Sequence, residues 1–173
     1  MQSDKKIKDI MIGIFEYPHV PYWFSIDQTA RIIKVSFISA KKYPEPMAIL
    51  VFDEKYNFLG TLTFKDILRG LEPRFMRPSE KGQAYVPEEA ELTIIWDTLF
   101  AKESRELAKK PVSEIMVPAK YFVEPDDPIA KAAYLMLRHD LVLLPVLEEK
   151  KKFVGLVRMI EIFDELSNII LSK

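Results

Sequence analysis

Two short stretches of the chain place hydroxyl, carboxylate and guanidinium groups where a strand-like run gives way to a helix-like one. The first is Gly60-Thr-Leu-Thr63-Phe-Lys-Asp66, and the second is Gly155-Leu-Val-Arg158-Met-Ile-Glu161. The spacing of Thr63 and Asp66 fits a capping box, in which the hydroxyl caps the new helix and the later carboxylate reaches back to the cap backbone. The same geometry suits a ligand. A helix N-terminus presents free N–H groups and the positive end of a dipole to a phosphate. An ionised carboxylate one turn in can accept from both hydroxyls of a ribose diol. The two uses are compatible, because a ligand can replace what the cap holds when empty. Arg158 has donors only and cannot cap a helix as Thr63 can. Either the second stretch is a degenerate copy with a solvated arginine, or Arg158 makes a charge-assisted contact to a phosphate, with Glu161 in the ribose role.

Other chemistries find little to build on. The 173 residues include no cysteine, which excludes disulfides, thiolate metal sites and cysteine nucleophiles. The two histidines, His19 and His139, are too few for a zinc site without cysteine and are read as structural. Asp126 and Asp127 read as capping residues rather than a catalytic pair. No serine elbow, Walker loop or HExxH motif occurs. No catalytic residue, metal ligand or obligatory cofactor is therefore expected. A net charge of −1, from 25 basic and 26 acidic residues, argues against a general grip on nucleic acid or on a membrane surface. No apolar run approaches the ~20 residues that span a bilayer, and the charged start MQSDKKIKDIM lacks the apolar core of a signal peptide. A soluble, cytoplasmic protein is expected. The aromatic cluster Phe15, Tyr17, Tyr22, Trp23 and Phe24 is read by default as core packing, with a wall for a stacked base or a partner surface as alternatives.

The elements that must position Thr63, Asp66, Arg158 and Glu161 come in duplicate. KIKDIM (6–11) is matched by PVSEIM (111–116), and FDEKYNFLGTLTFKDIL (52–68) aligns without gaps on LEEKKKFVGLVRMIEIF (147–163). Gly60 then falls on Gly155, Asp53 on Glu148 and Asp66 on Glu161. The first copy is longer earlier on, by about ten residues. In the second copy Asp126 and Asp127 before Pro128 predict a capped helix start. Apolar residues at Ile129, Ala132, Ala133, Met136 and Leu137 continue it at helical spacing. Leu141–Leu147 is a short apolar run suited to a buried strand, with Pro145 near its start or at an edge. A second strand, Phe153–Val157, and a closing helix, Glu161–Leu171, follow. The first copy predicts strand Tyr22–Ile26, helix Thr29–Lys42, strands Met47–Phe52 and Phe58–Leu62, and helix Phe64–Leu71. Each copy is β-α-β-β-α, giving an α/β (α+β) fold with approximate internal two-fold symmetry.

The chain divides into a first unit (1–71), a connector (72–110) and a second unit (111–173). The connector begins as a proline-rich loop and ends as a helix with Leu92, Ile95, Trp96 and Leu99 on one face, expected to pack on one of the copies. A unit of about 60 residues makes only a marginal core by itself, so the copies should share one. The closing helix is apolar at Ile160, Phe163 and Ile170 and also at Ile162, Leu166 and Ile169. Two apolar faces ask for two surfaces, which predicts a homodimer.

A leading K-x-x-D-I-M (Lys6–Met11), a β-α-β-β-α unit and a strand ending in G-x-x-T-x-x-D (Gly60, Thr63, Asp66) resemble the CBS domain. The second copy offers Val112–Met116 and the apolar-Pro-Val start Leu144-Pro145-Val146, so the tandem resembles a CBS pair, or Bateman module. That resemblance covers nearly all of the chain except 72–110. It implies a regulatory module that binds an adenosine-containing ligand (AMP, ADP, ATP or S-adenosylmethionine) between the paired copies. It also implies action on a partner protein that the sequence does not name, and association into dimers. The alternative is a scaffold that binds no ligand and only mediates protein association.

Overall fold

The duplicated strand patterns fold into two sheets of matching order. The computed structural model describes residues 5–39, 47–72, 88–95 and 101–171. The first copy contains β1 (His19–Pro21), α1 (Ile26–Ile33), β2 (Ala48–Phe52), β3 (Phe58–Thr63) and α2 (Phe64–Leu71). The connector contributes α3 (Glu89–Ile95) and α4 (Ala101–Leu107). The second copy follows as β4 (Val117–Pro118), α5 (Ile129–His139), β5 (Leu143–Glu148), β6 (Lys152–Arg158) and α6 (Met159–Leu171). β1 runs parallel to β2, and β2 is antiparallel to β3. In the second copy Val123 bridges in parallel to Val146 of β5, taking the place of β1, and β5 is antiparallel to β6.

The fourth position in each sheet is filled from the other copy. β4 follows the PVSEIM motif yet pairs with β3, with Gly60 opposite Pro118 and Thr61 opposite Val117. Ile12 follows KIKDIM yet bridges Leu156 of β6. The motifs cross over with them. Ile7 is fully buried among second-copy residues such as Val123, Met136 and Val146, and Val112 is fully buried among Val20, Ile26 and Val51. Their backbones dock alike: the Ile7 and Lys8 N–H groups donate to the carbonyls of Asp127 and Pro125, and those of Val112 and Ser113 to Phe24 and Tyr22. These reciprocal contacts, with Gly60 and Gly155 at equivalent points of β3 and β6, are the approximate two-fold predicted from the repeat.

Strand alternation explains the shared core. Successive side chains of β2 point to opposite faces, and all five residues are buried. Ile49 and Val51 pack in the first-copy core, whereas Ala48, Leu50 and Phe52 meet Leu143 and Leu156 between the sheets. The two copies bury a common layer, as their small size requires.

Several boundaries differ from expectation. The first strand lies at His19–Pro21, before Tyr22–Ile26, because Ser25 accepts from the Gln28 N–H and starts α1 three residues early. That helix then loosens into a π-helical turn over Lys34–Ser39, with Phe37 still buried; its predicted end at Lys42 lies outside the described residues. Asp126 and Asp127 do not cap α5, whose N-cap position is Pro128 with no side-chain bond. Asp127 instead accepts from the Glu124 N–H at 2.7 Å and from Lys131 Nζ at 2.6 Å. In the connector, Leu92 is exposed, and Trp96 and Leu99 lie outside the described residues. Leu107 of α4 is buried, and the carbonyls of Ala108 and Lys110 accept the N–H groups that open α1.

Asp126 joins the crossed-over motif electrostatically. Lys8 and Lys6 donate to Oδ1 at 2.8 and 3.0 Å, and these bonds hold its carboxyl at about 2. A folded-state pKa below the unfolded one contributes stability that is present above the unfolded value and is lost as pH falls through the folded one. Asp126→Asn should therefore lower the urea midpoint slightly at neutral pH, since exposed pairs are weak. That difference should vanish as the pH drops from about 4 to about 2. An effect that grows on acidification would contradict this assignment.

Candidate functional site

Thr63 ends β3 in extended conformation, so its side chain falls at the N-cap of α2. Its hydroxyl accepts from the Asp66 N–H at 3.3 Å, while Asp66 Oδ2 accepts from the Thr63 N–H at 2.8 Å and the Thr63 hydroxyl at 2.6 Å. Asp66 is 6% exposed, a burial that carboxylates seldom reach without partners. The Thr63 N–H and hydroxyl are those partners.

Thr63 faces a cavity of about 310 Å³ that belongs to both copies. The first copy contributes Ala48, Phe58 and Thr61 beside it, and the second supplies Val117–Tyr121 and His139–Pro145. Asp66 lies behind Thr63, one hydrogen bond from the cavity wall. The Tyr121 and His139 rings stack in that wall, 3.8 Å between centroids and 15° apart in plane, and Lys120 adds an ammonium group. The size and mix of apolar wall and few polar groups are those of a small-molecule site. The sequence alone reads His139 as structural, whereas the structure places it in the cavity wall. Its place just before the Leu144-Pro145-Val146 strand was the signal that it belongs to this wall.

The second stretch repeats the cap and changes the chemistry. The Arg158 N–H donates to Glu161 Oε2 at 2.8 Å, as Thr63 does to Asp66. The guanidinium then turns onto the same carboxylate: Nε donates to Oε1 at 2.9 Å and Oε2 at 3.0 Å, and Nη2 donates to Oε1. Glu161, and to a lesser extent a hydrogen bond to Tyr17, raise the Arg158 pKa against the opposing effect of burial. Both Glu161 oxygens are thus engaged internally. The pair lines an open concavity with Asp9, Asp164 and Glu165, an acidic setting unfavourable to a phosphate. Thr63 and Asp66 are brought together in one place and Arg158 and Glu161 in another, and the two pairs do not share a cavity.

The aromatic cluster splits. Tyr17 is buried between the sheets, and Tyr22 and Phe24 pack on the first core. Trp23 is half exposed, and Phe15 is 93% exposed. Among the described residues no group of His, Cys, Asp and Glu could hold a metal ion, and no helix is long and apolar enough to cross a membrane.

Residues 112–168 match the CBS domain family. The plant protein CBSX2 in complex with AMP is 18% identical, with a TM-score of 0.61 over 95% of this chain and 98% of that one; its CBS-pair structure comes from Arabidopsis thaliana. A CBS domain-containing protein of Bacillus anthracis is 18% identical, with a TM-score of 0.66 over 95% and 94%. The cytosolic domain of the Mg2+ channel MgtE in complex with ATP is 20% identical, with a TM-score of 0.61 over 94% of this chain and 49% of that one. No curated protein matches the chain by sequence. The chain as a whole has the fold of the CBS pairs to which it is similar.

Proposed function

We propose that the chain is a cytoplasmic regulatory module that binds an adenosine-containing ligand in the Thr63 cavity, performs no catalysis, and modulates a partner protein. The observation that carries this reading is a cavity walled by both copies, with a helix N-terminus and a buried carboxylate on one side and a flat ring pair on the other. Phosphate suits the first, and a purine suits the second. CBSX2 with AMP and MgtE with ATP support the ligand class. A ligand touching both walls favours one relative placement of the copies, and it can shift a partner only by its differential affinity for two such states.

The test is a thermal-shift series with AMP, ADP, ATP, S-adenosylmethionine and NADH. A ligand at a hundredfold excess over its dissociation constant should stabilise the fold by ~2.7 kcal/mol. No shift with any adenine ligand removes the reading.

The exposed face of the closing helices supports association of two copies. Ile162 packs inward, but Phe163, Leu166 and Ile170 of α6 and Leu137 of α5 are half or more exposed. An apolar face of this kind on a stable protein calls for a cover, and a second copy supplies the same face by symmetry. Phe163→Asp should convert a sedimenting dimer to a monomer at tens of micromolar while leaving the circular dichroism unchanged. A wild-type monomer under those conditions ends the claim. This face also favours the scaffold as the second reading, because it does not depend on any ligand.

A further inference from the structure

The duplicated fold presents the same outer helical face twice, and the two versions differ in chemistry. Thr29 and Ile33 of α1 are buried as Ala132 and Met136 of α5 are, and Ile67 of α2 is buried as Ile162 of α6 is. In that register Arg31, Lys34, Lys65 and Arg69 fall at the positions that Tyr134, Leu137, Ile160 and Asp164 hold in the second copy. Three largely apolar positions and one acid have become four cations. We propose that this first-copy face docks an acidic amphipathic helix of the partner protein. The proposal rests on the reading of the chain as a module that acts on a partner, and it names where that partner binds and by what chemistry.

The four cations are exposed, and among the described residues none of them has a carboxylate within ion-pair distance. The acids of α1 and α2 are committed elsewhere. Asp66 is buried in the α2 cap, and Asp27, one turn from Arg31, accepts from the Ser25 hydroxyl. In a chain of net charge −1, four unpaired cations on two adjacent helices are a local departure. Val35 and Leu68 stand beside them in sequence, each more than half exposed. α1 with its π-helical turn and α2 pack on the same core, and the Phe37 and Phe64 rings lie 6.5 Å apart. Their outer sides therefore form one surface.

A second copy suits the α5–α6 face but not this one. A two-fold contact sets a patch against itself, and here it would bring cation onto cation, a juxtaposition that costs energy and excludes the pairing. A phosphate backbone would engage the cations and leave Val35 and Leu68 without a partner. An acidic amphipathic helix answers both features, since its apolar stripe can lie on Val35 and Leu68 while flanking carboxylates reach the cations. Exposed ion pairs are individually weak. The charges therefore steer and orient the helix, and burial of the apolar side chains holds it.

The experiment uses the whole chain and a synthetic helical peptide with leucines at spacings of three and four residues and glutamates along both flanks. A scrambled peptide of the same composition is the control, and backbone amide resonances are followed. The helical peptide should move resonances of α1, of the turn after it and of α2, and added salt should weaken it. The double variant Lys65→Glu, Arg69→Glu and the single variant Leu68→Asp should each weaken binding at least about tenfold. Both should keep the wild-type circular dichroism and sedimentation. Binding that the double variant leaves unchanged overturns the proposal, as does movement confined to α5 and α6. A scrambled peptide that binds as tightly reduces the face to bare charge and also overturns it. If Leu68→Asp dissociates the dimer, the face is an interface between copies. If oligouridylate, or vesicles of phosphatidylcholine and phosphatidylserine, bind there more tightly than the peptide, the face serves nucleic acid or lipid; each of these results rejects the partner helix. No nucleotide is present, so this test can fail while the thermal-shift series succeeds, and the reverse.

Discussion

Gly60→Ala should destabilise the fold by about 3 kcal/mol or more, the upper part of the range for forcing atoms into a packed interior. A Cβ at Gly60 would lie 2.2 Å from the Val117 carbonyl oxygen, and one at Gly155 would lie 2.6 Å from the Ile12 carbonyl oxygen. Both obstacles are backbone, and both belong to the segment that follows the other copy's leading motif. Such atoms cannot swing aside as a side-chain end can. The crossing segment must move away, and bonds of the kind Ile12 and Leu156 exchange, at 2.9 and 3.0 Å, would stretch or break. Against a total stability of roughly 5–15 kcal/mol, the loss should be plain in urea unfolding, greater for Gly60→Ala than for Gly155→Ala. Gly13, with nothing within 4 Å of its would-be Cβ, is the control, and Gly13→Ala should stay near the wild type. Amide exchange should quicken first at Ala119 in Gly60→Ala and at Ile12 in Gly155→Ala. A wild-type midpoint for Gly60→Ala would mean that the crossing segments do not hold the copies together.

The sequence announced the glycines as a pair but did not say what they face. Gly60 and Gly155 stood out because the flanking residues align without gaps. The approaching backbone belongs to residues far away in the chain, and local periodicity carries no trace of it. The same limit explains the leading motifs. KIKDIM and PVSEIM were recognisable as repeats, yet nothing within them says that Ile7 and Val112 are buried in the opposite copy. Local signals did well where local forces decide. The capping box at Thr63 and Asp66, the strands 48–52 and 58–63 and the helix 64–71 rest on neighbouring residues. Where two local signals compete, the stronger one decides. Ser25-Ile-Asp-Gln28 is itself a capping box, and it overrode the β-branched and aromatic residues that suggested a strand through Ile26. At the site, Thr63 and Asp66 were legible because they lie on one helix start. Tyr121 and His139 were not, because their stacking is a tertiary contact across 18 residues of chain.

Asp66→Ala should lower the affinity for an adenosine nucleotide by about 1.5–3 kcal/mol, the worth of hydrogen bonds to a charged acceptor, or roughly ten- to a hundredfold. The carboxylate is buried and bound to the Thr63 hydroxyl, so its loss also removes the cap of α2. A lost cap costs ~1 kcal/mol of stability by itself. Affinity must therefore be measured by calorimetry on folded protein, and melting compared with and without ligand. The cap contributes to both melting curves, whereas the binding loss appears only in their difference. Arg158→Ala should behave differently. Its guanidinium is spent on Glu161 in an acidic concavity, so removing it should leave adenosine binding unchanged. An effect on ATP alone would show that a phosphate reaches Arg158 and competes with Glu161 for it. The stronger contrast is between the two carboxylates. If Asp66→Ala binds as tightly as the wild type while Glu161→Ala does not, the ligand occupies the second copy. The Arg158–Glu161 pair would then have to open on binding.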